Sequence, residues 1–218
     1  MIEKNSQSQI FSKVLACPFC QNYKISMEAP KDATFRYISP KELTAMAVKY
    51  RPQNNLGVAF TYNEPLIAYE YIRDTGKLLR ENHMKTVVVT NGSASLQVLD
   101  EILPWVDAMN IDLKGFTQKY YQMLGGDLET VKDFIRHSAP HCHIELTTLI
   151  VPGENDSPEE IDALAAWVAG IRPDIPLHIT RFFPRYKMTD RPATSISHIF
   201  RLKDIAEKHL KYVIPGNV

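Results

Sequence analysis

The chain has 218 residues, and its 25 Lys+Arg match its 25 Asp+Glu, so the formal net charge is zero. That balance argues against a nucleic-acid-binding module, which needs a basic excess, and 44% hydrophobic with 10% aromatic residues excludes a charge-rich disordered chain. No apolar run approaches the roughly 20 residues of a membrane span, and Met1 to Ser12 lacks a signal-peptide apolar stretch, so the expectation is a cytoplasmic protein with neither nucleic acid nor membrane as partner.

The elements follow one another in a regular order. Past the polar start comes Cys17-Pro18-Phe19-Cys20. Ser39-Pro40-Lys41-Glu42 then opens a helix, with Ser as N-cap, Pro at the first helical position and Glu placed to close a capping box. Leu56–Tyr62 reads as a strand, and Glu64–Asn82 as a helix with Ile67, Tyr71, Leu78 and Leu79 at helical spacing. Strand Thr86–Thr90, helix Ser95–Leu103, strand Ala108–Asp112, helix Leu128–His137 and strand His143–Ile150 come next. Ser157-Pro158-Glu159-Glu160 repeats the capping grammar and opens a helix to about Ile171. Strand Pro176–Thr180, helix Ser195–Leu210 and strand Tyr212–Ile214 close the chain. The strands are near-continuous apolar runs, the pattern of strands buried on both faces of a parallel sheet. Roughly six βα units, with no linker between them, read as α/β and as one domain over residues 1–218. Periodicity leaves open whether they form a full or partial (β/α) barrel or an open doubly wound sheet.

In parallel α/β folds the ligand lies at the C-terminal ends of the strands. Polar clusters fall there: Thr61-Tyr62-Asn63-Glu64, then Thr90-Asn91-Gly92, then Asp112-Leu113-Lys114, then Arg181 and Arg185. One such cluster is ordinary loop and cap chemistry; four in succession predict a single pocket.

The cysteine pair has three readings. Structural zinc wants four ligands, yet the third cysteine, Cys142, sits between His141 and His143 where a strand begins, which predicts the opposite end of the sheet. A redox dithiol is the second reading, since Cys-Pro-Phe-Cys resembles the glutaredoxin tetrapeptide; the chain, however, continues through about five more βα units that such a fold does not need. The third is an iron–sulfur site, and it draws on the residues downstream.

Cys17-Pro18-Phe19-Cys20-Gln21-Asn22-Tyr23, Thr61-Tyr62-Asn63-Glu64-Pro65, Val89-Thr90-Asn91-Gly92 and Met109-Asn110-Ile111-Asp112-Leu113-Lys114 together resemble the radical S-adenosylmethionine (radical SAM) superfamily. Within it they look like the AmmeMemoRadiSam-system radical SAM enzymes, relatives of the pyruvate formate-lyase activating enzymes. Thr147 to Gly153, Arg181-Phe182-Phe183-Pro184, Thr189-Asp190-Arg191-Pro192 and the ending Pro215-Gly216-Asn217-Val218 agree, so the resemblance runs from Cys17 to the C-terminus. It implies a partial (β/α)6 TIM-like barrel of parallel strands. It implies a [4Fe-4S] cluster on three cysteines spaced Cys-x-x-x-Cys-x-x-Cys, with the fourth iron left open for the amino and carboxylate groups of SAM. Reductive cleavage of SAM then yields a 5′-deoxyadenosyl radical that takes a hydrogen from the substrate. The implied partners are SAM, an electron donor protein and a substrate, small molecule or protein, that the sequence does not name.

Residue by residue, the resemblance makes Cys17 and Cys20 cluster ligands and puts Phe19 near the adenine, with core packing as its rival. Asn63 and Glu64 stand where the superfamily has its Gly-Gly-Glu segment, so Glu64 would accept from the SAM ammonium; the alternative is a helix-start Glu. Thr90 and Asn91 would meet the ribose or methionine part, against simple turn chemistry. Asp112 and Lys114 would bind the SAM carboxylate and position the substrate, against a plain salt bridge. Val151-Pro152-Gly153 would lie beside the adenine, and Arg181 and Arg185 are candidates for an anion. No catalytic residue beyond these is assigned.

One position departs from the pattern. The first cluster cysteine should lie four residues before Cys17, and that residue is Lys13; a protonated ammonium has no lone pair for iron. Residues 1–16 are therefore expected to be an atypical start, truncated or misassigned rather than divergent, because the similarity resumes abruptly at Ala16-Cys17. The alternatives to a radical enzyme are a catalytically inactive barrel that binds SAM or a partner, and a thiol–disulfide oxidoreductase using Cys17 and Cys20.

Overall fold

A computed structural model describes residues 15–26 and 37–218. Lys13 lies outside the described residues, as does most of the start expected to be atypical. Among the described residues six strands, β1 (Gly57–Phe60), β2 (Lys85–Thr90), β3 (Ala108–Asp112), β4 (His143–Ile150), β5 (Leu177–Arg181) and β6 (Val213–Gly216), form one sheet in chain order. Every neighbouring pair is parallel. A doubly wound sheet reverses its strand order at a switch point. This order never reverses, and β1 and β6 remain edges, so the sheet is a partial (β/α)6 barrel that does not close.

Before β1 comes α1 (Pro40–Lys49), and between the strands run α2 (Tyr69–Glu81), α3 (Leu96–Ile102), α4 (Gln118–Met123) and α5 (Leu128–Ser138), then α6 (Pro158–Ile171) and α7 (Ile196–Ala206). The Ser39 capping box forms as expected, Ser39 Oγ accepting from Glu42 N at 3.2 Å and Glu42 accepting from Ser39 N at 2.8 Å. Ser157 also caps α6 through Glu160 N at 3.1 Å. Glu160, however, does not close a box: its carboxylate accepts from Phe116 N at 2.6 Å and fastens α6 to the loop after β3.

Three expectations need correction. The segment predicted as one helix from Glu64 starts as a 3-10 turn over Pro65–Ala68, and α2 begins at Tyr69. The changed register turns Ile72, Thr75, Gly76 and Leu79 to the core and leaves Ile67, Tyr71 and Leu78 half-buried. A Cβ on Gly76 would lie 2.8 Å from the Cβ of Trp105, so the residue's smallness sets how close α2 comes. The short α4, capped by Thr117 Oγ1 accepting from Tyr120 N, falls in a stretch with no predicted element.

The third correction concerns the strands, which are not buried on both faces. Ile144, Leu146, Thr148 and Ile150 of β4 are fully buried, and the residues between them are not. The buried side packs on the helices, where Val131, Phe134, Ile135, Leu164 and Val168 fill the core. The other side is the concave inner face, and because the barrel is open it can carry polar groups.

Candidate functional site

A cavity of about 370 Å³ opens at the C-terminal ends of β1 to β5. That is within the range of small-ligand sites. Nine of the residues singled out above line it: Cys17, Phe19, Cys20, Asn63, Glu64, Thr90, Asn91, Asp112 and Lys114. Thr147, Leu149 and Thr180 extend the wall on β4 and β5. Sequence reasoning passed over these three. Their signal is the two-residue period, which puts Thr147 and Leu149 on one face of β4.

The cysteine loop is held to the mouth from several sides. Ala16 N donates to Leu124 O at 2.8 Å, and Lys187 N to Pro18 O at 2.9 Å. Asn22 Nδ2 donates to Tyr62 O at 2.9 Å, and Tyr23 stacks on Tyr186 with centroids 4.7 Å apart. Tyr62 takes a left-handed φ of 77° in that contact. Cys20 N donates to Cys17 O at 3.1 Å, closing the turn that turns both sulfurs to one wall. Cys17 is buried and Cys20 half-buried. Burial pushes the Cys17 thiol up, with Lys114 beside it acting the other way. Phe19 is a core residue that also faces the cavity: it is 3% exposed and meets Phe182 edge-on at 6.2 Å.

Glu64 joins two strand ends. Its Oε1 accepts from Thr90 Oγ1 at 2.6 Å and from Leu66 N at 3.2 Å, and its Oε2 accepts from Asn91 N at 2.9 Å. The helix-start role is therefore real, since Glu64 caps the 3-10 turn. A carboxylate has about four acceptor positions, so one remains for a ligand. Burial pushes this carboxyl up, against the three bonds it accepts. Turn chemistry is also real at the next loop: Asn91 Oδ1 accepts from Ser93 N at 2.8 Å, and Gly92 has φ 67°. A side chain at Gly92 would come within 3.0 Å of Ile111. Asn63 is exposed, its Oδ1 accepting from Glu64 N at 2.9 Å.

Asp112 and Lys114 form the salt bridge of the rival reading, Nζ to Oδ2 at 2.6 Å, and both also line the cavity. Burial alone would lower the Lys114 ammonium, but Asp112 and Cys17 beside it outweigh that and hold it charged. Asn155 Nδ2 donates to Lys114 O at 2.6 Å and fixes the backbone there.

Two predicted groups are not in this wall. Arg181 donates to Thr194 O and lies over the Phe183 ring at 4.8 Å, and Arg185 is an exposed turn residue. Val151 N donates to Asn155 Oδ1 at 2.7 Å, and Pro152 O accepts from Arg191 Nη1 at 2.8 Å, so the Val-Pro-Gly segment serves the fold behind the cavity. Cys142 lies at the other end of the sheet as expected; burial first, then Asp107, pushes its thiol up to about 11.

The model of the Radical SAM superfamily matches residues 14–167. The chain belongs to the radical SAM superfamily. An uncharacterised protein of Methanocaldococcus jannaschii is 38% identical over 208 residues, covering 93% of this chain and 60% of that protein. The pyruvate formate-lyase-activating enzyme of Clostridium pasteurianum is 26% identical over 164 residues, 72% of this chain and 66% of the enzyme. The chain thus spans about three fifths to two thirds of these relatives. Streptococcus suis SuiB, in a structure with S-adenosylmethionine bound, shares the fold at a TM-score of 0.70, with 14% identity over 94% of this chain and 48% of SuiB.

Radical SAM membership implies SAM and a [4Fe-4S] cluster, and the wall can be tested against each. SAM needs an acceptor for its ammonium, a cation for its carboxylate and polar partners for its ribose; Glu64, Lys114 and the Thr90–Asn91 loop supply these types. The Tyr120 phenol is buried with Cys17 in one apolar cluster and has no hydrogen-bond partner among the described residues. These residues fit SAM. For the cluster, the described residues bring two cysteines to the cavity, Cys17 and Cys20, and Cys142 is at the far end. Among the described residues no further group of His, Cys, Asp or Glu gathers as a metal site, and no helix is long and apolar enough to cross a membrane.

Proposed function

We propose that this chain is a radical SAM protein of the AmmeMemoRadiSam kind, one core domain over residues 1–218, cytoplasmic, acting on an unidentified substrate with electrons from a donor protein. The observation that carries the reading is the convergence of Cys17, Cys20, Glu64, Thr90, Asn91, Asp112 and Lys114 on one cavity. In this family the bound cluster and SAM supply the radical that abstracts hydrogen. The chain's own residues do the rest. Cys17 and Cys20 offer sulfur ligands. Glu64 would offer its remaining acceptor position to the SAM ammonium, while its other bonds hold the Thr90–Asn91 loop. Lys114, kept charged by Asp112, would hold the SAM carboxylate. Phe19 closes the apolar side of the wall and excludes water.

The test is anaerobic reconstitution of the Lys13→Cys variant. The expected result is an iron–sulfur absorption band and 5′-deoxyadenosine on reduction with SAM, with less iron bound by the parent chain. Neither signal in the variant would overturn the enzymatic reading. Lys13 favours a second reading, an inactive barrel that still binds SAM or a partner; tight SAM binding without iron would support it. Thiol–disulfide exchange is disfavoured, because its attacking thiol needs a lowered pKa and burial pushes Cys17 up.

A further inference from the structure

Across β3 to β5 the inner face of the sheet stays polar below the cavity. Asp112, Thr147 and His178 are register partners across β3, β4 and β5. Asp112 and Thr147 line the cavity, so His178 sits in the same row, on the same face. One step lower, Asn110 pairs with Glu145, and the Thr147 hydroxyl bridges the two rows by donating to Asn110 Oδ1 at 2.8 Å. Glu145 stands between two imidazoles: Oε2 is 2.6 Å from His178 Nε2, and Oε1 is 3.1 Å from His143 Nε2.

None of this packs the core, which lies on the opposite side of the same strands. A concave face lined by packing alone would be apolar. Here a carboxylate is fixed below the cofactor cavity by two rings. Burial alone would push the Glu145 carboxyl up; the bonds from His143 and His178 outweigh that and hold it below the ordinary range. An ionised carboxylate has only acceptors, so each facing Nε2 is the donor, and a neutral His178 then carries its lone pair on Nδ1. The pair then combines a ring acceptor, the His178 Nδ1, with the negative charge of Glu145.

A substrate that gives up hydrogen to a nucleotide in the mouth must adjoin that nucleotide, and the helix side is filled. We infer that Glu145 and His178 are substrate-positioning residues below the SAM cavity, and that the substrate they take carries a hydrogen-bond-donating group, a hydroxyl or an ammonium. This inference rests on the SAM-site reading above.

The experiment uses the full chain, isotopically labelled, with SAM present. Ethanolamine is the probe, and acetate and inorganic phosphate are the anionic controls. Binding is read by saturation transfer to ethanolamine and by the His178 ring-nitrogen resonances; the SAM-induced shift of the Asn91 amide reports the cofactor site and the fold. The expected result is His178 held as the Nε2–H form and an ethanolamine response that saturates and is at least tenfold stronger than either anion gives. Glu145→Gln and His178→Gln should each weaken saturation transfer at least tenfold with the Asn91 shift unchanged. Anions acting as strongly as ethanolamine, no ethanolamine response, or both variants binding it like the parent would overturn the inference. Loss of the Asn91 shift in the parent chain would instead sink the SAM-site reading.

Discussion

The two faces of the sheet divide the labour of the protein. On β4 the helix side carries Ile144, Leu146, Thr148 and Ile150, all fully buried, while the inner side carries His143, Glu145, Thr147 and Leu149, none of them fully buried. Strand chemistry is the same on both sides; only the neighbours differ. The difference teaches that stability and ligand binding are written on alternate residues of the same segments, so a substitution one position along should move from one property to the other.

The comparison breaks most visibly on the helix side. Leu146→Ala should cost about 2–5 kcal/mol in urea unfolding, because the side chain is fully buried in the main core. At the mouth the two properties meet. Glu64→Ala should cost about 1–3 kcal/mol, since it strips partners from Thr90 and Asn91, and should weaken SAM binding at least tenfold by calorimetry. Away from both faces, Asp127→Ala should cost about 1 kcal/mol as a lost N-cap. Its bonds from the Thr130 N–H and hydroxyl hold the Asp127 carboxyl below the ordinary range. Its contribution is thus complete above the unfolded value of about 4 and fades as pH falls through the lower folded value; a pH series of unfolding curves checks this, and Asp127→Asn should flatten it. On the inner face the smallest effect is expected: Glu145→Gln, at a part-exposed pair of His contacts, should change stability by less than about 1 kcal/mol. A loss comparable to that of Leu146→Ala would abolish the contrast.

Much of this was legible in the residues. The capping Ser39 and Ser157, the order of strands and helices, and the polar strand ends were all local signals, and local signals survive folding. Three things were not legible. Glu64 followed by Pro65 starts a 3-10 turn, and only the packing of Leu66 and the Thr90–Asn91 contacts decide that over a helix. The openness of the barrel depends on β1 and β6 not pairing, a long-range fact that apolar-looking strands do not carry. Arg181 looked like a pocket cation because it ends a strand, yet its tether to Thr194 and the Phe183 ring draw it away.

The most direct test of the account is an anaerobic titration of the labelled chain with SAM, followed at the backbone amides. The account predicts that Cys20, Thr90, Asn91 and Lys114 move together while Asp107 and Cys142, at the other end of the strands, stay still. Shifts gathered on the helix side or around Cys142, or none at the mouth, would contradict it.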